Sequence, residues 1–129
     1  IDVFNHGNHS RDFTYIDDIV DGILKTIDNP ASINLDWKSD DPDPATSKTP
    51  WRIYNIGNNK PVNLMDYIKA LENSLGKKAK FNFLPLQPGD VKDTFASVEN
   101  LKKNFNYQPS ISVDEGVSKF VKWFKDYYL

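Results

Sequence analysis

Residues 10 to 19 read Ser-Arg-Asp-Phe-Thr-Tyr-Ile-Asp-Asp-Ile. One arginine leads into a short apolar run and then into the first turn of an amphipathic helix. Such a chain must hold Arg11 at the rim of a packed layer. The apolar residues after it are drawn inward, while a guanidinium stays charged and is buried only when paired. Ahead of it, Ile1 to Phe4 alternates and predicts a short strand, and Asn5 to Ser10 is turn chemistry. Phe13 to Ile16 reads as a second short extended piece. Asp17 or Asp18 serves as N-cap of a helix running to about Asp28, with Ile19, Val20, Ile23, Leu24 and Ile27 on one face. Asn29-Pro30 stops it.

The remainder repeats this grain. Arg52 to Ile56 predicts a strand, closed by Gly57-Asn58-Asn59. Asn63 caps a helix through Leu75, with Leu64, Ile68, Leu71 and Leu75 as its buried stripe and Gly76 as its C′ residue. Lys80 to Leu84 predicts a strand, Pro85 to Asp90 a loop, and Asp93 to Ala96 a brief extended piece. Ser97 caps a short helix to about Asn104. Ser112 and Glu115 form a capping box for a last helix that buries Val117, Phe120, Val121 and Phe124. Residues 30 to 50, with four prolines and several aspartates, show no periodicity. A metal or partner site is one reading of that segment, and a solvated excursion is the simpler one. The fold class is α/β, a small mixed layer forming one domain over residues 1–129.

Composition excludes several classes of function. The net charge is −2, with both signs mixed along the chain, and nucleic-acid binding usually calls for a basic face. There is no cysteine, so neither a disulfide scaffold nor a thiolate metal site is available, and a reducing, cytoplasmic setting fits. No apolar run reaches the roughly 20 residues of a membrane span. The six glycines cannot be arranged as G-x-G-x-x-G, and no tyrosine has a lysine four residues on. His6 and His9 could share a metal, but no third ligand is evident, and two exposed loop histidines is the plainer reading. The chain opens inside a strand-like run without Met, which reads as a piece of a longer protein.

Two positive features remain. The first is Arg11, whose fixed fork of donors suits phosphate oxygens. On composition alone an ion pair with Asp12, Asp17 or Asp18 is the simpler reading. The second is Leu84-Pro85-Leu86-Gln87-Pro88-Gly89-Asp90-Val91, a stiff turn after a strand. Asp90 at its end can accept from two adjacent hydroxyls, as on a ribose, with Gln87 able to donate and accept beside it. A plain loop with Asp90 as turn former is the alternative.

In their order, the strand Ile1 to Phe4, the Arg11 to Asp18 motif, Tyr54-Asn55-Ile56-Gly57-Asn58 and Leu86 to Val91 resemble the C-terminal, substrate-binding part of an extended short-chain dehydrogenase/reductase. Within it the chain most resembles the NAD-dependent nucleotide-sugar epimerases and dehydratases, above all the UDP-glucuronate 4-epimerase type. The resemblance covers essentially the whole chain. It implies that Arg11 binds the pyrophosphate of a UDP-sugar and Asp90 the uridine ribose, and that Asp2 to Phe4 meets the uracil through backbone groups of residues such as Asp2 and Phe4. Many relatives carry an arginine where this chain has Gln87, so Arg11 would carry more of the phosphate load.

The resemblance further implies oxidation of the sugar at C4 to a 4-keto intermediate, with a Tyr-x-x-x-Lys pair and NAD on a Rossmann domain. Those parts would lie N-terminal to Ile1, leaving this chain without catalytic or cofactor-binding residues of its own and inactive alone. The expected partners are a UDP-sugar, the chain's own N-terminal Rossmann domain and a second copy in a homodimer of the full-length protein. A 4,6-dehydratase or decarboxylase on the same scaffold, and a non-catalytic nucleotide-binding module, are the alternatives. A cut domain should also expose apolar surface, expected near Ile1 to Phe4 and Phe13 to Ile16.

Overall fold

The computed structural model describes all residues 1–129. Its strands are two residues long: β1 (Asp2–Val3), β2 (Ser10–Arg11), β3 (Val62–Asn63) and β4 (Asn82–Phe83). They alternate with four helices, α1 (Ile16–Ile27), α2 (Leu64–Leu75), α3 (Glu99–Phe105) and α4 (Val113–Tyr128). This is the small mixed α/β arrangement read from the sequence. β1 pairs in parallel with β4, Asp2 opposite Asn82 and Val3 opposite Phe83. β2 runs antiparallel to β3, Ser10 opposite Asn63 and Arg11 opposite Val62. On its other edge, Ser10 N–H donates to the Lys92 carbonyl at 3.1 Å and the Ser10 carbonyl accepts from Thr94 N–H at 3.2 Å. β2 is therefore flanked on both sides, and Arg11 is fixed between α2's entry and the 84–94 loop.

Local chemistry explains the helix ends that form as predicted. The Asn63 side chain accepts from Met65 N–H at 2.9 Å, and Gly76 closes α2 at φ +68°, where a Cβ would be strained. Ser112 accepts from Glu115 N–H at 3.2 Å at the start of α4. The Glu115 carboxylate does not complete the box but pairs with Lys119 at 2.9 Å. Two other predicted caps do not form. α1 follows Tyr15 without a side-chain cap, with Asp17 and Asp18 inside its first turn, and α3 starts after Val98 rather than Ser97. Residues 52–56 form only an isolated bridge between Arg52 and Thr46, because no other segment of the chain offers Tyr54 to Ile56 a ladder to join. The Phe13 to Ile16 piece is likewise unpaired.

The core is two small clusters. One is Ala70, Val117 and Val121, where α2 meets α4, with Tyr67, Leu71 and Val113 packed around it. The other is Val98, Leu101 and Tyr107, with Tyr54, Ile56 and Phe105. Only 16 of 129 residues are buried, so much apolar surface stays outside. α4 is the clearest correction. Val117 and Val121 are buried as predicted, but Phe120 and Phe124 are exposed and join Trp123, Tyr127 and Tyr128 in a surface run of rings.

α1 inverts the expectation drawn from its pattern. The residues it turns inward are Asp18 and Gly22, while Ile16, Val20, Ile23, Leu24 and Ile27 are exposed, Ile27 at 67%. A Cβ on Gly22 would sit 3.3 Å from Ile56 and from the Tyr107 ring, so only a bare backbone lets α1 approach that closely. Asp18 accepts from Ser110 N–H and Ile111 N–H, both at 3.1 Å, tying α1 to the segment that enters α4. The uncovered apolar surface therefore includes α1 and the end of α4, with further exposed residues such as Phe81, Phe83, Leu86, Val91 and Phe95 along the 81–95 segment. Of the expected patch, Ile1 and Ile16 are exposed, Phe4 and Phe13 are half-buried, and Val3 is buried. Residues 30 to 50 carry no helix or strand, yet they are tied together. Asp43 accepts from Ala45 N–H at 2.9 Å and from the buried Thr46 hydroxyl at 3.2 Å.

Candidate functional site

His9, just before β2, and Arg11, within it, are two apart in extended chain, and both meet the 90–92 loop. That loop is shaped by Gly89 at φ +83° and by Asp90 N–H donating to the Gln87 carbonyl at 3.2 Å. Arg11 Nη2 donates to Asp90 Oδ1 at 3.3 Å and to the Val91 carbonyl at 2.8 Å. Its Nη1 donates to the carbonyls of Lys92 at 2.8 Å and Ser10 at 2.9 Å. The guanidinium is thus held along one edge by a row of loop oxygens. Its partner is Asp90, not Asp12, Asp17 or Asp18. Asp90 Oδ1 also accepts from its neighbour Val91 N–H at 2.8 Å.

The structure therefore joins Arg11 and Asp90 directly, and Gln87 joins them through the turn. Asp2 and Phe4 are connected less closely. Asp2 accepts from the Asn82 side chain at 2.9 Å across β1 and β4, and Phe4 opens a tight turn in which Asn5, His6 and Gly7 all have positive φ. His6 N–H donates to the Leu84 carbonyl at 3.0 Å, which docks that turn on the entry to the 84–94 loop. No hydrogen bond links Asp2 or Phe4 to Arg11 or Asp90.

Three features escaped the sequence reading. His9 is not an exposed loop histidine: it is 4% exposed, with Nδ1 3.2 Å from the Lys92 carbonyl and Nε2 3.5 Å from Asp90 Oδ2. His6, by contrast, is exposed as expected. Asp12 is a hub, accepting from Asn59 N–H at 3.1 Å, Lys60 N–H at 3.2 Å and Ala96 N–H at 3.2 Å. Gly57 makes room for it, since a Cβ there would lie 2.8 Å from Asp12 Oδ2. Ser10 Oγ donates to Asp93 Oδ1 at 2.6 Å, a second clasp on the same loop. The i, i+2 spacing of His9 and Arg11 was the available signal for the first of these.

Beside the rim lies an apolar cavity of about 260 Å³, walled by Phe13, Tyr15, Tyr67, Val113 and Phe120 among others. Phe13 and Tyr67 stack directly on one another in its wall, ring centroids 4.1 Å apart. None of Asp2, Phe4, Arg11, Gln87 or Asp90 lines it. No group of three or more potential metal ligands is present, and no helix is long and apolar enough to cross a membrane.

Residues 1–57 match the model of the NAD dependent epimerase/dehydratase family. Over 128 residues the chain is 51% identical to protein CapI of Staphylococcus aureus, a match covering 99% of this chain and 38% of the relative. It is 40% identical over 129 residues to a probable UDP-glucuronate 4-epimerase of Rhizobium meliloti, covering 99% of this chain and again 38% of the relative. The UDP-glucuronic acid 4-epimerase of Bacillus cereus, solved with UDP-glucuronic acid and NAD, superposes with a TM-score of 0.74 at 28% identity, over 98% of this chain and 35% of that one. The chain thus spans little more than a third of the length of these relatives. In motif order, in its matches and in structure the chain resembles the NAD dependent epimerase/dehydratase family, and its small mixed α/β fold is that of part of an extended short-chain dehydrogenase/reductase.

Proposed function

We propose that residues 1–129 form the UDP-sugar-binding portion of a nucleotide-sugar 4-epimerase of the UDP-glucuronate type. The observation that carries this reading is the direct contact of Arg11 with Asp90, which sets a permanent cation beside a carboxylate on one open rim. A nucleoside diphosphate needs that pair of groups. Its phosphates seek a fixed guanidinium, and its ribose offers two vicinal hydroxyls to a carboxylate. Asp90 Oδ1 is already engaged by Arg11 and Val91, whereas Oδ2 has no donor bound and is the oxygen open to a hydroxyl. With Gln87 in place of a second arginine, Arg11 supplies the fixed charge from this side.

The residues present do not fit the dinucleotide. A cofactor pyrophosphate sits at a helix N-terminus with free N–H groups. Here every helix carries an acidic residue in its first turn, and Asn63 and Ser112 already cap α2 and α4. In this reading epimerisation at C4 of the sugar draws its reacting groups from outside these residues, and the chain's own contribution is to bind and orient the nucleotide.

Titration calorimetry with UDP-glucose tests the proposal. The 129-residue chain should bind weakly, and Arg11→Ala should lower affinity by roughly 10- to 100-fold, the worth of one or two hydrogen bonds to a charged group. Binding should also weaken with added salt. Absence of binding, or Arg11→Ala binding like the wild type, refutes the assignment.

A further inference from the structure

We propose that His9 is a positioning residue that sets Asp90 for its ligand, and that its protonation tightens this hold. The ring is 4% exposed, and Nε2 is the one buried side-chain nitrogen or oxygen without a hydrogen-bond partner. Both ring nitrogens face acceptors: Nδ1 the Lys92 carbonyl at 3.2 Å, Nε2 the Asp90 Oδ2 at 3.5 Å. A neutral imidazole has one N–H and serves only one of them, which leaves two acceptors opposed at the other. An imidazolium donates to both. Its second N–H would draw Oδ2 in from 3.5 Å to hydrogen-bond distance and lock the carboxylate between His9 and Arg11.

The charged groups around the ring are few. Asp90 faces it directly. Arg11, a like charge, reaches the far oxygen of the same carboxylate, and Asp93 is held by Ser10 beside it. Lys92 meets the ring through its carbonyl, and α2 meets His9 only through Leu64 N–H on the His9 carbonyl at 2.9 Å. Of these only the Asp90 carboxylate faces a ring nitrogen, so a proton on His9 has a counter-ion waiting. Asp90 is better fixed beside a protonated His9 than beside a neutral one, and diol binding follows that state. This last step rests on the assignment of Asp90 to the ribose.

Two measurements on the 129-residue chain test the proposal. Nitrogen NMR of the imidazole, without ligand, should show both ring nitrogens protonated at the low end of a titration from about pH 5.5 to about pH 8. The Val91 and Lys92 amides should shift with the same midpoint. Calorimetry with UDP-glucose, whose phosphates do not titrate in this range, should show affinity falling roughly 5-fold across it, the worth of one net hydrogen bond. His9→Met, similar in bulk and without nitrogen, should bind at the weaker level with a flat profile. His9→Gln, which keeps one donor, should regain part of the affinity and stay flat. A His9 titration that leaves the Val91 and Lys92 amides unmoved, or His9→Met with wild-type affinity and pH dependence, overturns the proposal. Failure of the wild type to bind UDP-glucose sinks the binding assignment, and the ligand-free NMR still decides the case of His9.

Discussion

Asp12 offers the sharpest test of how the rim is built. Its two oxygens accept three backbone N–H groups, from Asn59, Lys60 and Ala96, at 3.1 to 3.2 Å. They join β2 to two segments that are otherwise 37 residues apart (96 − 59). Bonds to a charged acceptor contribute about 1.5–3 kcal/mol each. The three are not additive, since they share one carboxylate, and the Lys60 donor is open to water once released. Asp12→Ala should therefore destabilise the chain by about 3 kcal/mol, a fall in Tm on the order of 10 °C for a domain of this size. Asp12→Asn should lose about half as much, because one oxygen keeps its donors while the new amide opposes an N–H. Urea unfolding followed by tryptophan emission measures both. Asp93→Ala, which removes a single exposed bond from Ser10, is the control and should cost less than about 1 kcal/mol. If Asp12→Ala falls within 1 kcal/mol of wild type, or no lower than Asp93→Ala, the hub account is wrong.

Two further outcomes follow from the packing. Tyr107 is fully buried, its hydroxyl donates to the Gly57 carbonyl at 3.0 Å, and burial, reinforced by Asp18, Asp21 and Asp12, pushes its phenol up from 10.0 to about 12. The unfolded chain releases that proton near the ordinary value while the folded chain retains it. Stability is then complete below about pH 10 and declines toward about pH 12, by on the order of 1–2 kcal/mol. In an alkaline titration one of the six tyrosines should ionise only as tryptophan emission reports unfolding; ionisation of all six in the folded chain contradicts this. On α1, Leu24→Lys changes an exposed residue on the uncovered face. It should alter stability by less than about 0.5 kcal/mol while reducing self-association in light scattering, and a large loss of stability would show that this face is packed in solution.

The elements legible in the sequence are those whose determinants are local. Asn63 and Gly76 bracket α2 because a side-chain acceptor and a left-handed residue act within one turn of the helix they close. Ser112 starts α4 for the same reason. Direction of burial is not local. α1 has a strong apolar stripe, and periodicity says that such a stripe is made to be covered, but not by what. Within these 129 residues the inward face of α1 meets Ile56, Tyr107 and the 110–111 amides, which favour a glycine and an acceptor there rather than leucines. So Gly22 and Asp18 face in and the stripe faces out. Phe120 and Phe124 fail for the same cause: α2 is wide enough to cover Val117 and Val121 and no more.

The site was legible in a different way. Arg11 and Asp90 are 79 residues apart (90 − 11), and nothing in either segment alone states that they touch; the order of motifs assigned both to one nucleotide, and the contact itself is visible only in the structure. What motif order could not supply is the state of the guanidinium. It reads as a free cation awaiting phosphate, yet both of its terminal nitrogens are already bound, three of their four contacts being backbone carbonyls. Carbonyls hold the head in place without neutralising it, so the charge remains for an incoming anion while only the contact to Asp90 is ionic. That contact, at 3.3 Å, is the longest of the four. Asp90 is thus the one fully charged group that Arg11 holds, and under the assignment proposed above a single loop, clasped by Arg11, His9 and Ser10, presents both guanidinium and carboxylate to the nucleotide.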